Sequence, residues 1–262
     1  MTEQTSVLAE RRGPVLLLTF NRPDRLNAWT DELEERYFAH LDAAEADPDI
    51  GAIVITGAGR GFCAGADLDN LANADRSDPS AFERPRPRHF PLTLRKPLIA
   101  AINGAAAGLG LVEALYCDVR FCVPQAKLTT AFVRRGLIAE YGIAWLLPRL
   151  VGTSRALDLL VSGRVVLGER AYAMGLVDEL AAPEDLLDTA VGYARDLAEN
   201  CSPTSIAVIK RQVYRALETD LATALDEAQQ EMIGSFGRPD VSEGVASFQE
   251  RRPPSFAPLG PR

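Results

Sequence analysis

Phe62-Cys63-Ala64-Gly65-Ala66-Asp67-Leu68 follows the apolar run Ala52-Ile53-Val54-Ile55-Thr56 and the glycine-rich turn Gly57-Ala58-Gly59-Arg60-Gly61. An apolar run bounded by such a turn reads as a buried strand. The small residues at 64–66 let a ligand approach the backbone closely, so that an amide N–H becomes a working group. A backbone donor held on a rigid turn is one half of an oxyanion hole. A tight strand-to-helix connection capped by Asp67 accounts for the same seven residues. Alone they do not choose between the two.

A second stretch repeats the pattern. The strand-like Leu98-Ile99-Ala100-Ala101-Ile102 runs into Asn103-Gly104-Ala105-Ala106-Ala107-Gly108-Leu109-Gly110, and a small-residue helix continues through Glu113. Amides at a helix N-terminus are unsatisfied donors with partial positive charge. Two such turns brought together offer two N–H groups to one developing negative oxygen. Close helix packing is the other use of the glycines from 104 to 110.

Outward from these turns the chain reads as repeated strand–turn–helix units. Val15 to Phe20 is a strand, ended by Asn21-Arg22-Pro23-Asp24. A helix starts at Thr30 or Asp31, with Glu34 three residues after Asp31 as in a capping box. Leu33, Tyr37, Leu41 and Ala44 share its apolar face, and Pro48 closes it. Further strands are predicted over 119–123, 127–130 and 176–180. From about Ser154 helices dominate, with helices predicted over 184–199, 203–218 and 220–235. The second of these opens on Ser202-Pro203, a good N-cap and first-turn pair. The order implies an α/β protein built on a parallel sheet, with ligands at the strand ends.

Composition narrows the function. The 262 residues suffice for a sizeable core. A net charge of −8 argues against a general nucleic-acid surface, although a local basic patch still permits a small anionic ligand. Cys63, Cys117, Cys122 and Cys201 form no CxxC pair and sit among apolar neighbours, as buried free thiols do. His40 and His89 are the only histidines and neither lies in a Cys/His cluster, so no metal site is expected. The N-terminus lacks the basic and apolar segments of a signal peptide. No run reaches membrane-spanning length, and a soluble cytoplasmic protein is expected. The spacing of Gly57, Gly59 and Gly61 does not fit a dinucleotide fingerprint. P-loop and GxSxG motifs are absent, and two histidines make a Ser-His-Asp hydrolase a poor fit. Carboxylates remain as candidate acids and bases.

Asn21-Arg22-Pro23-Asp24-Arg25-Leu26-Asn27-Ala28, Gly61 to Leu68, Ala101 to Asp118, Gly136 to Gly152 and the tail Phe248 to Phe256 together resemble the enoyl-CoA hydratase/isomerase (crotonase) family. These segments stand in the family's order across nearly the whole chain. The resemblance implies a crotonase-like spiral of ββα units over residues 1–200. A C-terminal helical region over 201–262 would serve trimerisation and cover the CoA pocket. It implies an acyl-CoA substrate, no cofactor beyond the coenzyme A of that substrate, and a homotrimer or dimer of trimers. Matched position by position, Ala66 and Leu109 carry the backbone N–H groups of the oxyanion hole. Arg25, Leu26, Ala28, Ala64, Asp67 and Leu68 fall along the CoA moiety, with Gly108, Phe132 and Gly136 completing the substrate-binding set. Lys210 and Phe248 match positions that reach CoA across a subunit boundary.

The chain departs from the pattern where hydratases of the family carry two glutamates. Val112 and Phe132 occupy those places. Glu113 is adjacent to the first, but one helical step turns a side chain by about 100°, so it is not expected to substitute. Glu140 instead matches the position at which some family isomerases carry a catalytic Glu or Asp. Leu137, Ile138 and Ile143 would desolvate it and raise its pKa, while the following helix would act oppositely through its dipole. An acidic residue in a first helical turn is its plain alternative. Moving a double bond needs one base, whereas hydration also needs a positioned water and a proton donor. The expectation is therefore an isomerase-type proton shift by Glu140. Hydration using Glu140, with help from Tyr141 or a backbone group, and a catalytically silent acyl-CoA-binding relative are the alternatives. The stretch Asp75 to Pro91, with Arg84, Arg86, Arg88 and His89, reads as a polar loop, or else as a cover for the acyl pocket or a phosphate contact. Phe90, Phe132 and Trp145 are candidates for an apolar acyl site, or core.

Overall fold

A computed structural model describes residues 5–67 and 84–260. The expectation of one parallel sheet gives way to two sheets among those residues. The larger has the order β1-β2-β3-β5-β7-β10. Its strands are β1 (Val7–Arg12), β2 (Val15–Phe20), β3 (Ala52–Gly57), β5 (Leu98–Ile102), β7 (Val119–Cys122) and β10 (Glu179–Leu180). All neighbours in it are parallel except β1 with β2. The smaller runs β4 (Gly61–Cys63), β6 (Ala105–Ala107), β8 (Lys127–Thr129) and β9 (Val166–Leu167). Every residue of β3 and β5 is buried, as expected where both faces of a parallel sheet are covered. The helix α1 (Asp31–Ala46) packs on β1 and β2.

Four helices follow the second glycine-rich turn within the core: α2 (Leu109–Leu115), α3 (Ile143–Val151), α4 (Thr153–Ser162) and α5 (Gly168–Ala173). The helix α6 (Leu186–Asn200) lies on β2, β3, β5 and β7. Three more close the chain: α7 (Pro203–Ala216), α8 (Leu221–Ser235) and α9 (Pro239–Glu250). Ser202 caps α7 as expected, accepting from the Ser205 amide at 3.0 Å.

Several elements differ from the sequence reading. The edge strand β1 exposes most of its residues, so its Val-Leu-Ala-Glu-Arg-Arg sequence carries no clear apolar alternation. The strand predicted over 176–180 shrinks to Glu179–Leu180, while Leu176 and Val177 enter the core. Thr30 caps α1 by accepting from the Leu33 amide at 3.2 Å, but Glu34 completes no capping box and bonds the Trp29 indole instead. The helix α9 lies beyond the three predicted C-terminal helices, with Pro239 in its first turn. No helix among the described residues is long and apolar enough to cross a membrane.

Candidate active site

The two glycine-rich stretches meet because their short strands pair: Gly61 lies opposite Ala105 and Cys63 opposite Ala106. What reads as turn in the sequence is thus partly strand, and α2 begins only at Leu109. Missing side chains make the approach possible. A Cβ on Gly65, which has φ of 93°, would fall 2.6 Å from the Ala107 oxygen and 3.6 Å from the Leu109 nitrogen. A Cβ on Gly104 would fall 2.3 Å from the Arg60 oxygen. These distances are below any real Cβ contact except that to Leu109, so backbone rather than side chain lines the junction.

The amides of Ala66 and Leu109 stand at this junction. Trp29 pairs with Ala66 as an isolated parallel bridge: its N–H donates to Gly65 O at 2.8 Å, and the Asp67 N–H donates to Trp29 O at 3.0 Å. The Ala66 N–H between them is left out of that pairing. Leu109 is the first residue of α2, where an amide has no intrahelical acceptor. Among the described residues neither N–H has a hydrogen-bond acceptor.

Of the residues matched to the CoA moiety, Leu26, Ala28, Ala64 and Asp67 are held by bonds to one another or to Arg22. Leu26 and Asn27 both take left-handed backbone, with φ of 50° and 56°. The Ala64 N–H donates to Leu26 O at 3.0 Å, and Ala28 O accepts from the Arg22 guanidinium. Arg25 is exposed. Asp67 is buried and ion-paired with Arg22 at 3.0 Å, so its carboxylate helps to clamp the turn. Leu68 lies outside the described residues. Asn27 was not singled out from the sequence. Its wholly buried amide accepts from Arg22 N at 2.8 Å and donates to Ala58 O at 3.0 Å and Gly61 O at 2.8 Å.

Val112 and Phe132 are both buried. The Phe132 ring comes 3.7 Å from where a Gly108 Cβ would stand. Gly136, with φ of 71°, ends the short turn Phe132–Arg135. Glu113 is fully buried and neither carboxyl oxygen has a hydrogen-bond partner among the described residues. Burial pushes its pKa well up, only partly opposed by Arg88, which favours the neutral acid. Its charge would be felt by Tyr37 and Cys63, both fully buried. Burial pushes the Cys63 thiol up to about 12, leaving it inert as a nucleophile.

Glu140 lies just before α3 rather than within its first turn, and its carbonyl accepts from the Ile143 N–H at 3.1 Å. Burial raises its pKa, opposed in part by the neighbouring Tyr141 side chain and the charge of Arg88. Tyr141 lines a cavity of about 710 Å³ together with Arg88, Tyr116, Trp145, Leu146 and Tyr214. Ala66, Leu109 and Glu140 are not in its wall, and Tyr141 is the link between cavity and acid. Trp145 is the one aromatic acyl-site candidate in that wall. Phe90 packs edge-on against Phe38, with ring centroids 5.2 Å apart.

The arginines read as a polar loop are tied to α1 instead. Arg84 pairs with Asp31 and Glu34, Arg88 with Glu34, and Arg86 with Asp42 at 2.7 Å. Lys210 pairs with Asp118 at 2.6 Å and donates to Lys96 O at 2.8 Å. Phe248 is exposed.

The sequence profile of the Enoyl-CoA hydratase/isomerase family matches residues 10–258. The 1,2-epoxyphenylacetyl-CoA isomerase of Escherichia coli is 37% identical over 95% of this chain and 97% of its own. The crystal structure of an enoyl-CoA hydratase from Mycobacterium marinum is 53% identical, with a TM-score of 0.70 over 80% of this chain and 98% of that one. An enoyl-CoA hydratase from Polaromonas is 30% identical, with a TM-score of 0.89 over 95% of this chain and 99% of that one. The two sheets with their C-terminal helices are thus a crotonase-type fold, and the chain belongs to the enoyl-CoA hydratase/isomerase family of enzymes.

Proposed function

We propose that the protein isomerises an acyl-CoA thioester by an α-proton shift, with Glu140 as sole base and the Ala66 and Leu109 amides as oxyanion hole. The observation that carries this is a pair of acceptorless amides in a chain whose usual glutamate positions hold Val112 and Phe132. With a 3-enoyl thioester, Glu140 takes the α-proton, and the C–H electron pair delocalises onto the thioester oxygen. Return of that proton at the γ-carbon shifts the double bond and restores the carboxylate. Each donor to the developing oxyanion contributes about 3–4 kcal/mol to lowering the barrier.

Arg25, Leu26, Ala28, Ala64, Asp67 and Leu68 would follow the CoA moiety, with Gly108, Phe132 and Gly136 completing the substrate-binding set. This chemistry requires no cofactor beyond the coenzyme A of the substrate. Residues 1–200 would form the catalytic spiral and residues 201–262 the region that joins subunits in a homotrimer or dimer of trimers. Exposed apolar side chains on α8, among them Leu221, Leu225 and Met232, support that assembly.

The test is 3-enoyl-CoA isomerisation by wild type and Glu140→Gln, beside α-proton exchange in deuterated water. Loss of both in the variant is expected, and an unchanged rate would remove Glu140 from the role. The hydratase name of the Mycobacterium marinum relative favours a second possibility, hydration of 2-enoyl-CoA dependent on Glu140. Thioester binding without any exchange would instead identify a silent acyl-CoA-binding member of the family.

A further inference from the structure

Tyr141 stands in the left-handed region with φ of 55°, which costs a bulky residue energy unless its surroundings hold it there. Two contacts hold it. The Tyr116 hydroxyl donates to its backbone oxygen at 2.6 Å, and the Arg88 guanidinium lies over its ring, 5.0 Å from the centroid. Arg88 is itself tied down by Glu34, and both side chains are largely buried, at 12% and 8% exposure. Glu34 also accepts from the Trp29 indole N–H at 3.0 Å. Trp29 is the residue that pairs with Ala66.

These contacts form one path from the proposed oxyanion turn to the residue beside the proposed base: Ala66, Trp29, Glu34, Arg88, Tyr141. An arginine suits the middle of it, since a planar guanidinium bonds a carboxylate through its edge while stacking on a ring through its face. We propose that Arg88, anchored by Glu34, is a positioning residue that holds Tyr141, and with it Glu140, in register with the Ala66 turn. The inference rests on Glu140 being the base.

Glu140 feels Tyr141 and Arg88, and Tyr141 also feels Arg84. Arg84 shares Glu34 with Arg88. From α2, Glu113 and Tyr116 face Arg88 and Glu34, and His89 lines the same cavity. Of these, Arg88 is the cation whose charge acts directly on Glu140, opposing part of the upward push of burial. Its removal therefore moves the acid limb of the activity profile to higher pH, a readout that a purely structural ion pair would leave in place.

The experiment is the pH profile of α-proton exchange for wild type, Arg88→Met, Arg88→Lys and Tyr141→Phe, with folding checked by circular dichroism. Arg88→Met is expected to move the acid limb upward and lower the plateau roughly 10- to 100-fold. Tyr141→Phe should move the limb the same way, and Arg88→Lys should restore the limb but not the whole plateau. Where Arg88→Met does not fold, Glu34→Gln keeps an acceptor for Trp29 while loosening Arg88, and the plateau should fall. Wild-type limbs and plateaus in the folded variants overturn the inference. If Glu140→Gln retains exchange, the base assignment has failed. If it abolishes exchange while the Arg88 variants behave as wild type, only the positioning role has failed.

Discussion

A Cβ built on Gly110 would fall 2.2 Å from the backbone oxygen of Cys63, so the first turn of α2 rests directly on the strand that leads to Ala66. Backbone on both sides leaves nothing that can swing aside. Gly110→Ala should therefore force α2 and β4 apart, costing about 3 kcal/mol of stability and at least about 100-fold in turnover as the two amides lose register. Gly192→Ala is the control, since its Cβ meets open space within α6. It should gain about 0.5–1 kcal/mol at unchanged turnover. Urea unfolding and steady-state rates on both variants check the contrast.

Asn27 does for the outer side of the junction what Gly110 does for the inner. Three hydrogen bonds from a fully buried amide join the Arg22 turn to the Ala58–Gly61 turn, and asparagine tolerates the left-handed backbone found there. Asn27→Ala removes all three at about 1 kcal/mol each and leaves an alanine at positive φ. A loss of about 3–4 kcal/mol is expected by denaturant unfolding, with KM for the CoA thioester raised because the flanking Leu26 and Ala28 lose their anchor.

Much of this junction was legible in the sequence because glycine and alanine announce a close backbone approach wherever they follow an apolar run. The turns at 61–68 and 102–110 were found that way, and the β3 and β5 runs needed only their continuous hydrophobicity. Pairing was not legible: that Gly61 meets Ala105 depends on strand order, which no local window contains. The strand β1 escaped because an edge strand needs no apolar alternation. Glu34 looked like half of a capping box since spacing reports helical position but not which partner a long side chain chooses. Trp29 and Arg88, 59 positions apart in the chain, both compete for it and win. The arginines after residue 83 looked solvated for the same reason.

Leu221, Leu225 and Met232 of α8 and its C-cap residue Phe236 lie along one stripe and are all exposed. Such a stripe on a monomer would be a liability, whereas other copies of the chain would bury it. Leu225→Glu combined with Met232→Glu should reduce the mass in solution from that of an assembly to that of one chain, with helical circular dichroism retained. Light scattering coupled to size exclusion measures this. A single-chain mass for the wild type would refute the trimer.

Glu113 contributes a loss of stability as pH rises. Its carboxyl is buried beside Tyr37 with no hydrogen-bond partner among the described residues, and burial holds its pKa well above that of an unfolded glutamate. Below the unfolded pKa both states carry the proton and the group costs nothing through titration. As pH rises past that value the unfolded chain releases its proton while the native chain keeps it. Stability then falls by about 1.4 kcal/mol for each pH unit, until the native pKa is reached. Glu113→Leu replaces the carboxyl with a side chain of similar volume that does not titrate. The variant should match wild type most closely near pH 4, exceed it increasingly as pH rises, and keep catalytic activity, since the proposed reaction draws no proton from Glu113. Thermal unfolding of the pair from pH 4 to pH 9 tests the slope. Parallel stability curves would show that the acid is already ionised in the native state, and lost activity would place it in the reaction.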